Sequence, residues 1–375
     1  MIILTEDEAK AIHAIERESF ERYCQLILQE PSDYQNVLVQ EIRQSITAHF
    51  DALPPGIPKP DEAWLRSNCP VLFIDDYWQA REYLTSGHRK LVVAAIIGAR
   101  HSVIINEDYL RRVARERGFV CPELIDDGWL TRFLESCPTI LLCEMDFNAF
   151  VSRRSEIRNV PSVTFSDLLH ASLQNLIMST LQVAVDFSPD GTADVRSVEE
   201  AGALARTPVF REALRASIQM LLCESARIDL PVSIRTFGGS RRSQLMPIMQ
   251  AVAAAQNFVW FHEFGHILKG HLLGGPCPQY EYEADAFAVA VTTDPTAPRG
   301  MLTWSFLGVV LLLLALRILE RRYGDSPSDT HPPVLDRLSQ ILGRIEQRNL
   351  TFSRIAASAT AAFNAVLNDH WGFTI

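Results

Sequence analysis

His262 and His266 stand four residues apart in His262-Glu263-Phe264-Gly265-His266, within the helix-forming stretch Ala251–Leu273. On a helix this spacing puts both imidazoles on one face, about 6 Å apart along the axis. That is close enough for both to hold one Zn²⁺ at ~2.0–2.1 Å. Glu263 projects in a neighbouring direction, so its carboxylate can reach a water on the metal without being a ligand. Fifteen residues beyond His266 comes Glu281-Tyr282-Glu283-Ala284-Asp285. Gly274-Gly275-Pro276 ends the first helix and a second is expected from near Gln279. The eight residues Leu273–Tyr280 can span about 26 Å, enough to bring the chain back to the metal.

Glu281 and Asp285 share one face of the second helix, and Glu283 points roughly the opposite way. Glu281 is therefore read as the third ligand, with Glu283 and Asp285 as alternatives. Asp285 is read as the acceptor that orients a ligating imidazole. Three protein ligands leave a position for water, the arrangement of catalytic zinc. Zinc lowers the pKa of that water toward ~7, and Glu263 would take its proton as it attacks a peptide carbonyl. The developing oxyanion needs a further donor, for which His331 and Arg337 are the candidates.

Other residues get simpler readings. His271 follows His266 by five positions, so helical spacing turns it elsewhere, toward the last carbonyls of the helix. Tyr280 and Tyr282 read as packing at a helix start, and Cys277 as an ordinary thiol. Asp75, Asp76 and Asp146 lack metal-ligand spacing and read as solvated.

The set His262-Glu263-x-Gly265-His266-x-x-x-Gly270-His271, Glu281-x-x-Ala284-Asp285 and His331-Pro332-Pro333 with Arg337 resembles the HtpX-type and CAAX prenyl protease type 1 gluzincins. The short gap between ligand motifs, and the apolar helix before Thr330-His331-Pro332, look more like the phage-exclusion peptidase Lit and its relatives. The resemblance covers roughly residues 250–340, about a quarter of the chain. It implies an intracellular bacterial peptidase. It further implies that His262, His266 and Glu281 bind zinc, that Glu263 is the base, and that His331 and Arg337 lie along the substrate cleft. A latent enzyme triggered in stress or phage defence is in keeping with it. The chain lacks the several long hydrophobic spans of the membrane branch.

The elements that must position these residues are mostly helical. The 375 residues are 47% hydrophobic and 21% charged, enough for a large core. A net charge of −10 argues against a nucleic-acid partner. Seven scattered cysteines without a CxxC pair suit reduced thiols in a cytoplasmic protein. Thr5-Glu6-Asp7-Glu8 reads as a capping box opening a charged helix, not as part of a secretory signal. Leu302–Leu316 is 15 residues long, shorter than the ~20 a membrane span needs; a core helix is expected, with membrane anchoring the alternative.

The predicted class is α+β, predominantly helical. A mixed α/β region over 1–160, for recognition or regulation, precedes a zincin-like peptidase domain over 161–375. Helices are expected near 6–30, 34–51, 107–117, 125–136, 167–185, 209–223, 251–273, 301–323, 333–348 and 351–368. Strands are expected at Leu91–Ile97, Val103–Ile105 and Thr139–Leu142. Ser188–Gly191 reads as a turn. Pro231–Phe237 reads as a strand that would bind substrate backbone by β-addition.

The function these features predict is zinc-dependent endoproteolysis of a protein or peptide substrate, with an activating partner acting through the N-terminal region. The competing reading is a binding or regulatory module that keeps zinc only for stability.

Overall fold

Apolar periodicity in the second half of the chain becomes a set of helices around the one that carries His262 and His266. The computed structural model describes residues 4–51, 58–116, 128–143, 149–153, 160–187, 193–222, 224, 242–273, 277–292, 302–324, 331–346 and 351–375. Among these the order is α1 (Glu6–Leu26), α2 (Pro31–Asp51), α3 (Glu62–Asn68), a 3₁₀ turn at Pro70–Phe73, α4 (Tyr77–Gly98), α5 (Glu107–Glu116) and α6 (Trp129–Glu135). Strands β1 (Thr139–Leu142), β2 (Ala149–Arg153) and β3 (Pro161–Ser166) follow, then α7 (Asp167–Ala184), β4 (Val185–Phe187), β5 (Ala193–Val195), α8 (Val198–Ala205) and α9 (Pro208–Leu221). The chain finishes with α10 (Arg242–Lys269), a 3₁₀ turn at His271–Leu273, α11 (Pro278–Thr292), α12 (Leu302–Tyr323), α13 (Val334–Glu346) and α14 (Thr351–Trp371). The fold is α+β and predominantly helical.

The main sheet has the order β1-β3-β2, with β1 parallel and β2 antiparallel to β3. β3 is buried along its whole length, so β2 is an edge strand. β1 and β2 precede residue 160 and β3 follows it, and one apolar core runs from Ile12 on α1 to Leu367 on α14. A smaller aromatic cluster of Phe20, Tyr23 and Tyr77 joins α1 to α4.

The capping box forms as expected: Glu8 N–H donates to Thr5 Oγ1 and Thr5 N–H to the Glu8 carboxylate. Two strand expectations fail. Leu91–Ile97 belongs to α4, which Asp76 caps at its N-terminus. Val92, Val93 and Ile96 are buried there, so tertiary packing overrides the β-branched signal. Val103–Ile105 lies in the connection from α4 to α5; the backbone just after it docks on α10, where Asn106 N–H donates to the Leu268 carbonyl. Pro231–Phe237 and Ser188–Gly191 lie outside the described residues.

α12 is the predicted core helix. Phe306–Leu314 is buried without interruption, and the helix packs on α10, α7, α13 and α14. Among the described residues no helix is long and apolar enough to cross a membrane. Gly308 marks the closest approach, since a Cβ there would lie 2.0 Å from the Ala251 carbonyl oxygen of α10. Gly308→Ala must therefore push two helices apart. Its destabilisation is expected to be at least the ~1–3 kcal/mol typical of overpacking, read as a lower urea midpoint at unchanged slope.

Candidate metal centre

α10 is almost wholly apolar toward the core, which buries His262 and Glu263 among Phe258, Phe261 and Phe264. α11 crosses it closely because Gly265 has no side chain: a Cβ there would sit 3.3 Å from Ala284 Cα. This contact sets Glu281 opposite the two histidines. His262 Nε2 and His266 Nε2 are 3.1 Å apart, and Glu281 oxygens lie 3.4 Å from the first and 3.5 Å from the second. Glu281 thus presents a different oxygen to each histidine, Oε2 to His262 and Oε1 to His266, each near the ~3.3–3.4 Å that separates neighbouring ligand atoms around a metal with ~2.0–2.1 Å bonds. The three residues form a cluster able to hold a metal ion.

The chemistry of the donors fits as well. His262 Nδ1 lies 2.9 Å from Asp285 Oδ1, and a carboxylate there requires the proton on Nδ1, which leaves Nε2 as the ligating atom. Asp285 in turn accepts two hydrogen bonds from Arg337, from Nε and Nη2, each 2.8 Å. The third guanidinium nitrogen is 3.5 Å from Glu281. Asp285 and Arg337 are both buried. The sequence grouped Arg337 with His331 along the substrate cleft. Its side chain forms part of the cleft wall, and its Nε and Nη2 donate to Asp285. His331 sits at the mouth, exposed, with Nε2 3.8 Å from Glu281 Oε1.

These contacts polarise the site. Burial works against a charged His262, but hydrogen bonds to Asp285 and Glu281 carry its pKa up to about 10. Burial together with the charge on His262 lowers His266 to about 3. Burial would raise Glu281, yet His262 and Arg337 bring it down to about 2. Arg337 and His262 likewise hold Asp285 far below the usual carboxylate range, against its burial. Glu263 behaves differently: burial, aided by Glu281, pushes it up to about 7 although His262 and Arg337 oppose the shift.

A cleft of about 600 Å³ opens over these groups. One wall is apolar, with Leu169, Phe258 and Leu312 among its residues, and another is β2. The Val151 N–H of β2 reaches the Glu263 carboxylate. Its β3 partner Val163 sends its own N–H the other way, to Pro138. Alternate main-chain groups of β2 therefore point away from the sheet, along the cleft. The sequence reading missed this strand, although Phe150 and Val151 are residue types that favour strands; being adjacent, they give no period-2 alternation to reveal it.

The remaining candidates fall as follows. Tyr280 stacks on His271, with ring centroids 4.3 Å apart. His271 does not turn away: its Nδ1 lies 3.0 Å from His266 Nδ1 and its Nε2 3.1 Å from Glu283. Glu283 is thus occupied with His271, away from the metal cluster. Cys277 lines the cleft. Asp75 pairs with Arg43 at the surface, Asp76 caps α4, and Asp146 lies outside the described residues.

Residues 209–356 match the family described as Peptidase U49, which supports a peptidase and accords with the resemblance to Lit and its relatives. The matched segment contains α10, α11 and α13, and so every residue of the cluster. No curated protein and no solved structure matches the chain.

With its pKa at about 10, metal-free His262 is protonated at neutral pH. A divalent cation must displace that proton from Nε2. Metal affinity should therefore rise with pH, by about tenfold or more per unit between pH 6 and 8, with at least one proton released. Chelator competition at several pH values measures the slope, and a flat profile would show that no proton is displaced.

Proposed function

We propose that the protein is a zinc-dependent endopeptidase of the gluzincin type, with His262, His266 and Glu281 as ligands and Glu263 as general base. The observation that carries this reading is the convergence of His262 Nε2, His266 Nε2 and the two Glu281 carboxylate oxygens, with contacts of 3.1–3.5 Å, beside a buried carboxylate raised to about 7, in an open cleft. A closed structural site would have a fourth protein ligand, and among the described residues the cluster has three. The Peptidase U49 match supports the same class of reaction.

When bound, zinc supplies Lewis acidity, which acidifies water and polarises the scissile carbonyl. Glu263 accepts the proton of the attacking water and hands it to the leaving amine. Burial raises the Glu263 carboxyl in the metal-free chain, which makes it a stronger base than an exposed carboxylate. The Val151 N–H holds the Glu263 carboxylate in place. His331, at the mouth beside Glu281, offers an N–H to the oxyanion. Arg337 fixes Asp285, and through it the plane of the His262 ring.

Substrate backbone pairs with the outward main-chain groups of β2, which is how an extended peptide joins a sheet edge. The N-terminal region then has a definite part in recognition, because β2 belongs to it. The apolar wall at Leu169 and Leu312 receives an apolar side chain next to the cleaved bond.

Glu263→Gln removes the base and keeps the shape. Proteolysis of an unfolded protein or a peptide library, followed by mass spectrometry, should fall by about 10²–10⁴-fold. Metal content and thermal stability should persist. Undiminished cleavage by this variant would exclude Glu263 as the base, and loss of metal would make it a structural residue.

A further inference from the structure

Burial, ring stacking and two short contacts set His271 behind His266, where the mechanism above gives it no task. Gly270 adopts φ +80°, a conformation that ends α10 and folds the next residue back on the preceding turn. A 3₁₀ turn then carries His271, and its side chain is 5% exposed. Tyr280 lies over the imidazole with an interplanar angle of 7°, which fixes the ring plane. Gln279 further steadies Glu283, its amide 3.3 Å from the second carboxylate oxygen.

The hydrogen positions follow from the acceptors. Glu283 Oε2, 3.1 Å from His271 Nε2, can only accept, so the proton of a neutral His271 lies on Nε2. His271 Nδ1 is then a lone pair. It faces His266 Nδ1 at 3.0 Å, and two lone pairs repel at that distance, so His266 carries its proton on Nδ1. His266 Nε2 is thereby left as a lone pair directed at His262 and Glu281.

We infer that His271 and Glu283 form a relay that sets the tautomer and ring orientation of the metal ligand His266, as Asp285 and Arg337 do for His262. Both braces come from α11 in part: Asp285 on one face and Glu283 with Tyr280 on the other. The two histidines of one helix are thus held by separate chains of hydrogen bonds, one ending in a buried arginine and the other in a half-exposed carboxylate. His271 borders the cleft, and acting through His266 makes it a positioning residue. The inference rests on the metal-centre reading of the previous section.

The test uses the full chain loaded with Co²⁺, reading affinity by chelator competition and ligand geometry by the visible absorption spectrum. His271→Phe keeps the stack on Tyr280 and removes the acceptor. His271→Asn restores an acceptor close to where Nδ1 stood. Loss of an outer partner of a metal-bound histidine costs about 10–100-fold in affinity, and that fall with an altered spectrum is expected for His271→Phe. His271→Asn should recover most of it.

Glu283 supplies an independent arm near the surface. Glu283→Leu should weaken Co²⁺ binding severalfold, whereas Glu283→Gln, which still accepts, should not. Wild-type affinity and spectrum in His271→Phe would overturn the inference. Equal losses in the Phe and Asn variants would also overturn it, because they would show that packing matters and the acceptor does not. If the unaltered protein binds no Co²⁺, this inference falls together with the metal reading. A protein that shows this pattern of affinities yet cleaves nothing would refute the peptidase reading alone.

Discussion

One buried carboxylate ties the candidate site together. Asp285 sits on α11, accepts from His262 of α10 and takes both forks of Arg337 from α13. Removing two charges from water costs several kcal/mol per ion, and geometry this close is what offsets it. The same geometry has a structural consequence. Three helices must keep their relative positions within a few tenths of an ångström for these hydrogen bonds to exist. Glu281, one turn before Asp285, is then delivered to the histidines without further machinery.

Close helix packing makes that possible. Gly265 lets α11 approach α10 at the level of the ligands, and Gly308 lets α12 approach it a few turns earlier. The apolar run of α12 belongs to this layer. It is buried from Phe306 to Leu314 and carries Glu320, whose carboxylate accepts the Val334 N–H at the start of α13. The helix that looked most like a membrane segment therefore helps set the position of Arg337. Pro332 and Pro333 precede α13, and proline suits a helix start because its missing N–H would have no partner there anyway.

The other side of the site is built from a different kind of element. β2 is an edge strand, and edges leave main-chain groups unpaired. Here one of them binds Glu263 and the rest face the cleft. The sheet also joins the two regions on either side of residue 160, because β1 and β2 both pair with β3. The strand that borders the cleft is thus also the one that holds Glu263.

The sequence by itself brought together His262, His266 and Glu281, the cluster able to hold a metal ion, with Glu263 beside it. The i, i+4 rule fixes His262 and His266 to one face, and helix periodicity separates Glu281 and Asp285 from Glu283. These are local consequences of 3.6 residues per turn, so they survive any packing. The helical course of the second half was legible for the same reason. Leu91–Ile97 was not: β-branched residues favour strands weakly, and α4 gains more by burying them on neighbouring helices. His271 was misread because helical spacing was carried one residue too far, past Gly270, whose positive φ reverses the chain. Arg337 and β2 were decided only by the tertiary structure. Which groups a guanidinium meets, and which strand edge faces the Glu263 carboxylate, depend on contacts between residues more than fifty positions apart, and no local period encodes them.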